Sequence, residues 1–170
     1  ARKPQFNEHR CIVFSELRSI NFDMKIENPL EKILRRCARH GDVNDPATPR
    51  PMLSLEEFFE DNEVGNILVN LDPAPEPREV YATYKAIRNR PDVADVRVEI
   101  TQVDVYDDGT KDWPFSDSLW VVTSASPDQV MSWFNSNMAP DEVHQGWSSD
   151  RTLEPVEVPE GMHPILCWYD

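Results

Sequence analysis

Asp104, Asp107, Asp108, Asp112 and Asp117 fall within one fourteen-residue stretch, DVYDDGTKDWPFSD. Carboxylates at this density suggest calcium, which gathers oxygen ligands from a short loop. Set on the EF-hand template, Asp104 takes the first position, Asp108 the fifth and Gly109 the sixth. Tyr106 then stands at the third position and Phe115 at the twelfth, where the loop requires a bidentate acid. The template fails, and neither a metal nor another cofactor is expected. Asp108-Gly109 reads better as a turn between two strands.

Ser116, Asp117 and His144 supply the side-chain types of a hydrolytic triad, but no G-x-S-x-G elbow accompanies them. The four histidines, His9, His40, His144 and His163, include no pair at ligand spacing, and the five glycines form no G-x-G phosphate loop. If the chain is an enzyme, its acid and base groups are Asp112, Asp117, Asp141, Glu142 and His144. Two loop tryptophans sit close to acids: Trp113 follows Asp112, and Trp147 follows Asp141 and Glu142. Aromatic anchors framed by charge are common at protein interfaces. The expected partner-binding set is therefore Asp107, Asp108, Asp112, Trp113, Asp117, Asp141, Glu142 and Trp147.

The elements that must position these residues can be traced along the chain. Cys11 to Ile26 fits either strand or helix. Asn28 caps a helix running from Pro29 to about Arg39, with Leu30, Ile33, Leu34 and Cys37 on one face and Gly41 ending it. Ser54-x-x-Glu57 opens a short helix, and Asn66–Leu71 reads as a strand. A helix follows from Pro77 to about Asn89. Ala94–Tyr106 reads as a second strand whose alternation changes phase at Thr101–Gln102, as a bulge would cause. Leu119–Thr123 is apolar on both faces and reads as a central strand. Ser126 caps a helix carrying Val130, Phe134 and Met138, and Ile165–Tyr169 is a last strand that begins after Pro164. The order βαββαβ predicts an α+β, ferredoxin-like sandwich with an N-terminal helical extension. Its central strands are Asn66–Leu71 and Leu119–Thr123.

Charge divides the chain. Residues 1–51 carry a net +3 and residues 52–170 a net −17, with the proline-rich GDVNDPATPRP between them. The expected division is a basic N-terminal extension, 1–51, and an acidic α+β domain, 52–170. So negative a domain repels nucleic acid and anionic membranes, and attracts basic proteins. Its wholly apolar runs are at most five residues, far short of a membrane span. Cys11, Cys37 and Cys167 are odd in number and far apart, which suits free thiols in a reducing cytoplasm.

The motifs LSLEEFFEDN, NRPDV-x-DV-x-VEIT, WPFSDS, VTSAS, PDEVHQGW and the terminal WYD are similar to those of a family of small acidic bacterial proteins of uncharacterised function. The resemblance covers Met52 to Asp170 and implies that residues 1–51 are an extension. It brings no catalytic residues. The expectation is a non-enzymatic acidic protein that binds a basic protein partner, of immunity or regulatory type. A small enzyme or ligand-binding domain, and a nucleic-acid mimic, are the alternatives. A homodimer is compatible with all three.

Overall fold

In the computed structural model the described residues are 27–147 and 150–170, so the segment Cys11–Ile26 lies outside them. Five strands form one antiparallel sheet: β1 Met52–Ser54, β2 Val93–Glu99, β3 Ser118–Thr123, β4 Glu142–Gln145 and β5 His163–Trp168, in the order β1-β2-β3-β5-β4. The helices are α1 Pro29–Cys37, α2 Leu55–Phe59, α3 Pro77–Arg88 and α4 Pro127–Met131.

The helix starts follow their caps. Asn28 accepts from Leu30 N, and both Ser54/Glu57 and Ser126/Gln129 form complete capping boxes. Each such cap is worth about 1 kcal/mol. Gly41, at φ 127°, takes a backbone that other residues resist and turns the chain out of the helical segment. The turn at Tyr106–Gly109 is present as expected, closed by Gly109 N donating to Tyr106 O.

The expected strand order does not hold, because Asn66–Leu71 is not a strand. Asn66 and Leu68 both have φ 52°, which no strand accommodates, and the segment makes a single bridge, Ile67 to Ser116. Its apolar character comes from plugging the core with Ile67 and Leu68, while Val69 and Asn70 face solvent. β5 takes the vacated place beside β3, and a short strand is added at each edge. β1, only three residues long, pairs with β2, which moves inside the sheet. β4 pairs with β5, so the last strand is also internal, and Pro164 sits at its start opposite Val122. The irregularity in β2 falls between Val93 and Asp95. The phase change at Thr101 marks the end of the regular ladder, beyond which Gln102 and Val105 keep only isolated bridges.

β3 is buried along its whole length, as its apolar sequence predicts. Alternation sends Leu119 and Val121 to one face, with Leu53, Val96, Val98, Ile165 and Cys167. Phe58 of α2, Val80 and Tyr84 of α3 and Val130 of α4 cover that face. The Tyr84 hydroxyl lies 2.7 Å from that of Tyr169, which in turn donates to Met138 O. On the opposite face Met52, Trp120 and Leu166 are covered by the irregular segment that carries Leu153 and Val156.

Packing crosses the charge boundary at residue 51. Ile33, Cys37 and Val43 share the main core with the strands. Arg36 bonds to Glu57 on α2, to Met52 O on β1 and, through both terminal nitrogens, to Glu154. Glu154 is 7% exposed and also accepts from Met52 N, and His40 lies 3.0 Å from it. Burial alone would raise its pKa. The Arg36 hydrogen bonds, the Met52 N–H and the charges of Arg36 and His40 outweigh burial and hold the carboxyl below its ordinary 4.5. The stabilisation is therefore complete at neutral pH and is lost as pH falls through the range below 4.5. Arg36→Met strands a buried carboxylate, and urea unfolding at pH 7 is expected to show a loss of about 3 kcal/mol. The gap to the wild type should narrow as the pH falls below 4.5 and Glu154 takes up a proton. A gap that is constant with pH would show that the pair contributes nothing beyond packing.

Candidate functional site

Only part of the second sheet face is covered. Beside the patch under Leu153 and Val156 lies a cleft of about 620 Å³. Strand alternation builds its floor: Glu99 from β2, Ser118 from β3, Leu166 and Trp168 from β5, Glu142 and His144 from β4. Arg50, Asp117 and Asp150 complete the acidic and basic groups.

Glu99 anchors the site. It is 2% exposed, accepts from Trp120 Nε1 at 2.7 Å and pairs with Arg50 Nη1 at 2.7 Å. The same Arg50 nitrogen lies 3.4 Å from Asp150. Asp117 accepts from Ser118 Oγ at 2.7 Å, and His144 Nε2 meets Glu142 Oε2 at 2.5 Å. Four carboxylates thus face one guanidinium and one imidazole around an indole.

The structure brings together Asp117, Glu142 and His144 from the expected acid and base groups. Asp112 and Asp141 lie elsewhere: Asp112 accepts from Tyr106 OH and from Trp113 N, and Asp141 from Asp170 N. The triad is not assembled. Ser116 is buried and donates to Ser118 O, away from His144. Asp107 and Asp108 are exposed in the hairpin turn, where the hydroxyl and N–H of Thr110 hold the Asp108 carboxyl below the ordinary range. Among the described residues no three His, Cys, Asp or Glu side chains gather to hold a metal ion.

The two loop tryptophans part company. Trp113 is 4% exposed and belongs to the core, so it cannot anchor a partner. Asn66 Nδ2 donates to its carbonyl, which ties the plugging segment to the hairpin. Trp147 is 45% exposed and leans on Trp120, with ring centroids 4.7 Å apart. Glu99, Arg50 and Trp168 were not singled out by sequence reasoning. A charged residue at the strand's end, between Val98 and Ile100, reads as solvent-facing unless the far side of the sheet is known to be covered. The signal available was Glu99 within five residues carrying three apolar ones, Val96, Val98 and Ile100, followed by a tryptophan-bearing strand.

Together fold and site define an acidic α+β protein with helices over one sheet face and a carboxylate-lined cleft on the other. Residues 28–167 match the family described as "Uncharacterized protein YfbO family", and the chain belongs to it. The match begins upstream of Met52 and includes α1. The chain is 51% identical to "Uncharacterized protein YfbO" of Escherichia coli (strain K12) over 143 residues, 84% of this chain and 99% of that one. No solved structure matches it. Among the described residues no helix is long and apolar enough to cross a membrane.

Two thiols test the packing. Burial pushes Cys37 and Cys167 both up to about 12, so neither forms a thiolate at neutral pH. Iodoacetamide labelling mapped by mass spectrometry at pH 8 should modify both only after denaturant is added. Labelling of Cys167 in the native protein would place the β3–β5 ladder outside the core.

Proposed function

We propose that the protein is a non-enzymatic acidic binding protein whose cleft takes lysine or arginine side chains of a basic partner, as an immunity or regulatory protein would. The observation that carries the reading is the excess of carboxylates over cations around Trp168 in one cleft. An aromatic face bordered by carboxylates suits a cationic group, through charge and through cation–π attraction. The chain's net charge of −14 adds a field that draws basic partners in and weakens with salt. Trp147 takes over the anchoring role that Trp113 cannot fill. Buried unpaired thiols support a reducing, cytoplasmic setting.

The enzymatic reading has one observation in its favour, the contact between His144 and Glu142, which orients an imidazole as a general base requires. The hydroxyl beside it does not complete a catalytic pair, because Ser118 donates to Asp117.

Titration of fluorescent octalysine against the protein should show binding that weakens by about tenfold between 50 and 200 mM salt. Asp117→Asn combined with Glu142→Gln should weaken it at least about fivefold at the lower salt. Equal affinity in wild type and double variant would remove the cleft from the binding surface.

A further inference from the structure

The open edge of the sheet beside the cleft carries an inference that rests on the binding role above. β4 is the last strand in the order and is bonded to a neighbour on one side only. Gly146 N donates to Pro164 O at 2.9 Å, in register with the pairs from Glu142↔Trp168 to Gln145↔Ile165. Inward and outward bonding alternates along an antiparallel strand. Glu142 and His144 therefore bond to β5, whereas Val143 and Gln145 turn their N–H and C=O groups outward. Among the described residues, no hydrogen bond from outside the ladder reaches those groups. Glu142, His144 and Gln145 are all exposed, so nothing among the described residues buries their side chains at this edge.

Alternation also fixes what a strand added here would present. Residues opposite Glu142 and His144 share their face and lie over the cleft, and the residues between them lie on the side of Val143. We propose that β4 pairs with an extended segment of the basic partner, with its main chain bonded to Val143 and Gln145. Lysine or arginine at every second position then enters the cleft beside Glu142. Charge favours this occupant over a second copy of the chain, because edge-to-edge pairing would set Glu142 and the cleft carboxylates of both copies side by side. Peptide addition to a sheet edge takes its affinity from the main chain and its selectivity from alternate side chains.

The test uses a labelled nonapeptide of alternating lysine and valine, and two versions N-methylated at one or the other set of alternate residues. Methylation removes backbone donors and leaves charge unchanged. Fluorescence anisotropy should show that one of the methylated peptides binds at least about tenfold more weakly than the parent. Equal affinity for all three, with Glu142→Gln still weakening each, would overturn edge pairing and leave the cleft reading standing. Binding of none of them, while octalysine binds, would likewise reject an extended segment at this edge. Sedimentation of a dimer that the peptide fails to dissociate would assign the edge to a second copy and overturn the proposal.

Discussion

The buried carboxylate of Glu154 is the constraint around which the second sheet face is organised. It lies in an irregular segment with no ladder of its own, yet that segment must cover Trp120, Met52 and Leu166. Main-chain bonds between Arg50 and both Thr152 and Glu154 pin the segment to the chain just before β1, and Arg36 holds it from α1. Three stretches distant in sequence are joined at one carboxylate. Such a pair gives little net stability compared with apolar residues of the same shape, but removing one partner is costly. Its value lies in specifying where the cover goes, since an apolar strap could slide over an apolar sheet.

That placement creates the cleft. The segment covers the part of the face nearest β1 and leaves beside it a cleft lined by Glu99, Ser118, Trp168 and side chains of β4. Glu99 sits at the junction. Its one oxygen satisfies the indole of the covered Trp120 and its other the guanidinium of the cleft's Arg50. The same charge therefore serves the packing on one side and the polarity of the cleft on the other. The covered and open halves of this face are a single structure.

Local signals carried much of the fold. Caps and helical stripes placed α1, α2, α3 and the start of α4, and the run of apolar residues placed β3 at the centre, because those features depend on neighbours within four or five residues. What could not be read was pairing. Asn66–Leu71 has the composition of a strand, but only its backbone angles and its contact with Trp113 and Ser116 reveal a plug. β1 and β4, three and four residues long, leave no periodicity to detect. Both edges were therefore missed, and two true inner strands were read as edges. The site followed the same division. Asp117, Glu142 and His144 are identifiable as chemical types, whereas Glu99 and Arg50 acquire meaning only when β2 is known to lie inside the sheet.

Net charge alone does not locate a binding surface, because carboxylates serve two different ends in this chain. Glu56, Glu57, Glu99 and Glu154 each hold an arginine, and Arg88 brings the Glu56 carboxyl down to about 2. These acids are neutralised where they stand and contribute little field beyond a few ångströms. Asp107, Asp108, Asp112, Asp117 and Asp141 have no lysine or arginine within ion-pair distance among the described residues, and Glu142 has only His144. The arginines are spent on fixing α1, α3 and the strap to the sheet, and the acids left without one include Asp107, Asp108 and Asp112 on the hairpin and Asp117 in the cleft. Of those two places only the cleft adds an aromatic floor, a rigid strand framework and an unbonded edge. Charge on the hairpin can speed an encounter, but residence requires groups held in place by the sheet. On the reading proposed above, the acids without arginine partners, rather than the net charge, would form the binding surface.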